Sequence, residues 1–251
     1  MSRLAIILLA ILVLTYVGIC AALFIFQRSL IYFPQPKLIA TTIATLPIEG
    51  GNVLVSTRPH EGPKAVIYFG GNSEDVSTDM PSFSRTFPDH AIYLMHYRGY
   101  GGSSGQPSED GLVSDGLALY DEVSSAHPEI TIIGRSLGSG VAIHVASMRP
   151  AARLVLVTPY DSLQNVAASH YPLFPVRWLI QDKYESWRYA PSVKACTLII
   201  AAENDAVIPR SSSELLESRF ANGVASFKIL PGTDHNSISG SPEYLPLLKG
   251  E

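Results

Sequence analysis

The chain holds 251 residues, 47% of them hydrophobic and only 16% charged, with a formal net charge of −4. Without a basic cluster, that balance gives no reason to expect nucleic acid as a partner, and the length beyond an apolar N-terminus suits one α/β domain with a large core. The two cysteines, Cys20 and Cys196, fall in the apolar N-terminal segment and in a predicted buried strand, so no disulfide framework is expected.

Leu4 to Phe26 carries no charge, and at 1.5 Å per residue a helix of that length spans about 34 Å, enough to cross a hydrocarbon core. Residues 1–26 therefore read as a membrane anchor and 27–251 as the domain it carries. The rival is a cleaved signal peptide, but the apolar run exceeds the usual core of such a peptide and no small-x-small site follows it. The α-amine and Arg3 on one side are matched by Arg28 and Lys37 on the other, so charge bias does not orient the span. Leu30, Ile31, Tyr32 and Phe33 just beyond it are expected to form an interfacial belt, the alternative being a hydrophobic approach for a membrane-borne substrate.

Val53 to Thr57 and Lys64 to Phe69 read as strands, the second entering Gly70-Gly71-Asn72-Ser73, where glycines permit a sharp turn with its amides facing a site. Ala91 to His96 is the next strand, followed by the glycine-rich Tyr97 to Gly105. That loop has Ser104 where a dinucleotide fingerprint needs its third glycine, so it is expected to be structural. Leu112 to Ala126 has the spacing of an amphipathic helix. Ile130 to Ile133 reads as a strand buried on both faces, and Leu137 onward as a helix. Arg153 to Thr158, Thr197 to Ala202 and Ala225 to Leu230 are further strands. Ser211 and Glu214 predict a capping box for a helix running to Phe220, stopped by Asn222-Gly223. Strands alternating with helices imply a mainly parallel central sheet with helices on both faces.

Residues 159–192 break that rhythm with prolines and aromatics after a strand end, where α/β sites are built. A small cap over the acyl side of a pocket is expected there, with Tyr160, Tyr171, Phe174 and Trp178 as candidate substrate contacts. A packing excursion without substrate contact is the alternative.

Gly134-Arg135-Ser136-Leu137-Gly138 joins a strand to a helix in the Gly-x-Ser-x-Gly pattern of a nucleophile elbow, which exposes the serine hydroxyl on a strained turn. A serine needs a base within hydrogen-bond reach and an acid to fix the base's tautomer. Asp205 and His235 each follow a predicted strand, and parallel strands bring their loops to the edge that carries Ser136. The backbone N–H groups of Asn72 and Leu137 are the candidate oxyanion donors.

Among other residues, Asp161 is the best alternative acid and Asp234 reads as solvated. His144 reads as packed in the core, and His60, His90 and His127 as solvated. His96 and His170 lie near the expected pocket, with packing the simpler role. Glu74, Asp75 and Asp79 form an acidic loop without histidines at ligand spacing, so no metal site is supported and no cofactor is required.

The chain resembles the α/β-hydrolase superfamily, and within it the membrane-anchored "alpha/beta hydrolase domain-containing" group, types thirteen and seventeen, with their bacterial relatives. The residues that carry the resemblance are 27–34, Gly71-Asn72, 97–105, 134–138, 159–162, His170-Tyr171-Pro172, Asp205 with Val207-Ile208-Pro209, and His235-Asn236. It implies the α/β-hydrolase fold, a Ser136, Asp205, His235 triad, and hydrolysis of acyl esters or thioesters, with S-depalmitoylation known in part of the group; the apolar composition of 159–192 beside an anchored domain separately suggests lipid or acylated protein as substrate. An aminopeptidase-like activity is also found in the group. The group often has His-Gly-Asn where this chain has Gly70-Gly71-Asn72, and Gly-Gly-His where it has Thr233-Asp234-His235. A membrane-tethered binding module without catalysis is the non-enzymatic reading, and its signature would be a missing triad member.

Overall fold

The computed structural model describes residues 2–250. Met1 and Glu251, which bound the two expected segments, and the Met1 α-amine used in the charge comparison lie outside the described residues. A long apolar helix, α1 (Arg3–Ile31), comes first, its N-terminus capped by the Ser2 hydroxyl. It is long and apolar enough to cross a membrane, and it runs past the charged Arg28 into the segment expected to be a separate belt.

Eight strands then build one sheet: β1 (Thr42–Ile48), β2 (Gly51–Arg58), β3 (Lys64–Phe69), β4 (Ala91–Met95), β5 (Glu129–Arg135), β6 (Arg153–Val157), β7 (Cys196–Ala202) and β8 (Ala225–Leu230). Their spatial order is β1-β2-β4-β3-β5-β6-β7-β8. The pairs β1–β2 and β2–β4 are antiparallel, and all later pairs are parallel. The predicted mainly parallel α/β sheet is what the chain folds into. The sequence reading missed β1, an edge strand that contains Pro47, a residue tolerated at a sheet edge because it cannot donate to a ladder.

Alternation along the central strands divides the core. On β3, Ala65, Ile67 and Phe69 face one way and join Leu112 and Leu119 of α3 (Glu109–Ser124), Val141 and Val145 of α4 (Leu137–Met148), and Leu216 of α8 (Arg210–Glu217). Val66 and Tyr68 face the other way and join Phe83 of α2 (Met80–Thr86) and Leu248 of α9 (Tyr244–Lys249). Both layers bury apolar side chains completely, and that burial is the main stabilising term.

Between β6 and β7 the cap excursion forms α5 (Leu163–His170), α6 (Val176–Leu179) and α7 (Ser186–Tyr189), closed by a 3₁₀ turn at Ala190–Ser192. Three local expectations are corrected. The capping box at Ser211 and Glu214 does not form: α8 starts at Arg210 after Pro209 with no side-chain cap. The next two hydroxyls, of Ser212 and Ser213, donate instead to the Asp161 carboxylate and the Pro159 carbonyl. The helix ends at Glu217, and Phe220 packs from the turn beyond it. Cys196 opens β7 and is exposed rather than buried. His127, expected in solvent, is buried and bonded to the Gly62 carbonyl.

The elbow sets the tightest packing in the fold. A Cβ added at Gly138 would lie 2.1 Å from the Phe69 carbonyl oxygen, and one at Gly134 would lie 2.5 Å from the Gly138 carbonyl oxygen. Because the obstacle is backbone, it cannot rotate aside. Gly138→Ala is expected to destabilise the protein by about 1–3 kcal/mol, lowering the thermal midpoint by roughly 3–10 °C in a circular-dichroism melt.

Candidate active site

Ser136 stands between β5 and α4 with φ 49° and ψ −118°, a conformation that costs a non-glycine residue about 1–3 kcal/mol. Neighbours hold it there. Its N–H donates to the Val157 carbonyl at 2.9 Å, and its own carbonyl accepts from both the N–H and the hydroxyl of Ser139.

Asp205 follows β7 and His235 follows β8, so both sit at the carboxyl edge of the sheet beside Ser136. His235 Nε2 lies 2.9 Å from Ser136 Oγ, and Nδ1 lies 2.8 Å from Asp205 Oδ2. A carboxylate accepts only, so with Asp205 ionised the Nδ1 carries the proton and Nε2 is left to accept from the serine hydroxyl. The second Asp205 oxygen accepts from the N–H groups of Val207 and Ile208, which fixes the carboxylate plane. The alternative acid, Asp161, is engaged elsewhere. It is buried and bonded to Ser162, Asn165 and Ser212, with no contact to His235. Asp234 is exposed and caps the turn through the N–H groups of Asn236 and Ser237, which hold its carboxyl below the ordinary value.

Asn72 and Leu137 line the same cavity as Ser136 and His235. Among the described residues no acceptor is bonded to the backbone N–H of either one. The glycine loop that carries Asn72 is braced from three sides. The Tyr97 hydroxyl donates to the Gly70 carbonyl, the Tyr100 hydroxyl to the Asn72 carbonyl, and the Asn72 side-chain amide to the Ile31 carbonyl at the end of α1. Two of the three braces come from the loop at 97–105, through Tyr97 and Tyr100.

A carboxylate that the sequence reading placed in an acidic loop, with no role at the site, ties the site together. Glu74 accepts from the Gly71 N–H at 2.8 Å, from the Tyr68 hydroxyl at 2.6 Å and from Arg135 Nη1 at 2.9 Å. Arg135 Nη2 reaches the carbonyl of His235. One ion pair therefore links the turn before Asn72, the residue before Ser136 and the backbone of His235. Burial works against the Arg135 charge, but Glu74 together with Tyr68 and Tyr244 outweighs it, and the guanidinium is held above its ordinary value. The residue types were visible in sequence, and their meeting was not, because strand order decides it.

The cavity has a volume of about 650 Å³ and runs from Ser136 and His235 between the cap and α1, within the size range of small-molecule sites. Of the four cap aromatics expected to touch substrate, Tyr160, Tyr171 and Phe174 line it. Trp178 does not: it is 88% exposed on the outer side of α6. His170 lines the cavity and donates from Nε2 to the Val207 carbonyl. Leu30 and Ile31, expected to form a belt with a hydrophobic substrate approach as the alternative, line the cavity. His96 is buried on Ser56 away from the cavity, and His144 stacks on Tyr189. Among the described residues no cluster of three or more metal-ligating side chains occurs.

The sheet order and the position of the site define an α/β-hydrolase fold. No family model matches the chain. An uncharacterised protein of Mycobacterium tuberculosis strain H37Rv is 35% identical over 246 residues, covering 90% of this chain and 86% of its own. The alpha/beta hydrolase domain-containing protein aho-3 of Caenorhabditis elegans is 30% identical over 191 residues, covering 73% of this chain and 56% of that protein. Among solved structures, an α/β hydrolase from a deep-sea metagenome superposes with a TM-score of 0.68 at 16% identity, over 82% of this chain and 96% of that one. The chain has the α/β-hydrolase fold and shares its family with the mycobacterial protein.

The buried carboxylates beside the site give a pH signature. Burial first, and the Glu74 carboxylate second, push the Asp79 carboxyl from its ordinary 3.8 up to about 8. The folded chain then binds a proton that the unfolded chain has lost between about pH 4 and 8, so stability falls as pH rises through that window and levels off above it. Asp79→Asn is expected to flatten this slope, read as the thermal midpoint across that range. An unchanged slope would place the proton elsewhere.

Proposed function

We propose that the chain is a membrane-anchored serine hydrolase that cleaves acyl esters or thioesters through an acyl-enzyme. The observation that carries this is the unbroken hydrogen-bond chain Asp205–His235–Ser136 at one end of an apolar cavity. Ser136 Oγ attacks the acyl carbonyl while His235 Nε2 takes its proton, and Asp205 holds the Nδ1–H tautomer and stabilises the imidazolium. The Asn72 and Leu137 amides receive the oxyanion. His235 then gives its proton to the departing alcohol or thiol. A water attacks the acyl-enzyme with His235 again as base, and the carboxylic acid leaves. No cofactor enters the sequence of steps.

The anchor in this reading is α1, an apolar helix 29 residues long on which Gln27 is the one buried residue, which in water would be a large exposed hydrophobic surface. The peptidase alternative wants a carboxylate beside the site to receive a free α-amine. Among the described residues no Asp or Glu side chain lines the cavity, which favours the ester and thioester reading.

The test is labelling of isolated membranes with a fluorophosphonate probe. Wild type is expected to label and Ser136→Ala to lose the label entirely. Asp205→Asn is expected to lower kcat on a short-chain ester by roughly 10³–10⁴-fold, with the histidine held in the wrong tautomer. A well-folded wild type that takes no label would overturn the hydrolase and favour the binding module.

A further inference from the structure

The anchor and the cap are clasped at two levels. At the inner level the Tyr16 hydroxyl donates to the Leu173 carbonyl at 2.9 Å, and the Tyr16 ring stacks on Phe174 at 5.9 Å. At the outer level Gln27, one of few polar groups on the helix, is buried. Its amide donates to the Leu179 carbonyl and its oxygen accepts from the Gln181 N–H, while Arg28 pairs with Asp182 at 3.1 Å. Tyr16 and Arg28 lie about 18 Å apart along the helix axis, more than half of a hydrocarbon core of about 30 Å. The cap segment 171–179 therefore runs beside the stretch of α1 that a bilayer would surround. Its outer side chains fit that setting, with Leu173 81% and Trp178 88% exposed.

The cavity lies inside this clasp. Leu23, Gln27, Leu30 and Ile31 of α1 form one wall, the cap aromatics form another, and Ser136 stands at the far end. Among the described residues no Asp, Glu, Lys or Arg lines it, and its two histidines are engaged, His235 in the triad and His170 on the Val207 carbonyl, so no free charged side chain there pairs a phosphate, a carboxylate or an ammonium on a substrate.

We infer that the anchor helix is a wall of the acyl site, and that the substrate is an uncharged single-chain acyl ester drawn from the bilayer along α1, as in a monoacylglycerol. This rests on the hydrolase reading above. In the reaction the ester acyl C–O bond breaks, water supplies hydroxyl to the acyl carbon and a proton to the alcohol, and a fatty acid and an uncharged alcohol leave. An uncharged head group faces the polar end lined by Asn72, His235 and Asn236, while the chain follows Leu30 toward Leu23.

The experiment uses the full chain in phosphatidylcholine vesicles, with acetyl-, octanoyl- and palmitoyl-glycerol as substrates. Leu23→Trp and Leu30→Trp put an indole into the cavity, and Leu12→Trp puts one on the same helix away from it. The ratio of kcat/KM for palmitoyl- over acetyl-glycerol is expected to fall roughly tenfold or more in the two cavity variants and to stay at the wild-type value in Leu12→Trp. An unchanged ratio in well-folded, fluorophosphonate-labelled cavity variants would overturn the wall. Faster cleavage of palmitoyl lysophosphatidylglycerol or of an S-palmitoyl peptide would overturn the uncharged lipid. A second measurement needs no variant: a palmitoyl fluorophosphonate with a terminal diazirine, bound to Ser136 and irradiated, is expected to crosslink to peptide 23–31. Crosslinks confined to residues 163–208 would overturn the inference while leaving the triad reading intact, and a wild type that takes no fluorophosphonate would remove both.

Discussion

The close approach of α4 to β3 is the constraint on which the rest of the molecule depends. With no Cβ at Gly134 or Gly138, the first turn of α4 settles directly on the Phe69 peptide, and the chain reverses at Ser136 in a conformation that few non-glycine residues adopt. The strain is held by one backbone hydrogen bond to β6 and by Ser139, not by the serine's own preference. Once that turn is fixed, the ends of β3, β5, β7 and β8 share one edge, and the side chains that follow them converge.

Much of the fold was legible because parallel strands buried on both faces read as short β-branched runs. Residues 64–69 were delimited to the residue by that signal, and the strands at 130–133 and 197–202 to within a residue or two at either end; the edge strand at 225–230, only partly buried, was also delimited to the residue. Where local signals competed, the reading failed. β1 carries a proline and buries only Leu46 fully, so it passed for loop. Ser211 and Glu214 have capping-box spacing, but Pro209 takes the cap position two residues earlier, which puts Ser211 inside the first turn.

The site was legible in a different way. Chain order and loop position singled out Ser136, Asp205 and His235, and the structure puts their side chains in one hydrogen-bond chain. What no spacing rule reaches is contact between elements far apart in sequence. Glu74 and Arg135 come together only because β3 neighbours β5, and Leu30 lines a cavity only because α1 lies along the cap. Trp178 shows the opposite error: an aromatic within a cap was taken as a wall, although on a short helix only one side faces inward.

The clasp between α1 and the cap also bears on where binding energy can come from. Transfer of an acyl chain from water into an apolar cavity gains about 0.8 kcal/mol per methylene. A chain that passes from lipid tails to a wall of Leu23 and Leu30 exchanges one hydrocarbon contact for another, so that gain is absent. On the proposed reading, chain length is then sensed through the shape of the cavity and the order imposed on the chain, not through hydrophobicity. By the same reasoning the fatty-acid tail leaves without ever entering water, and product release carries no solvation penalty that grows with length.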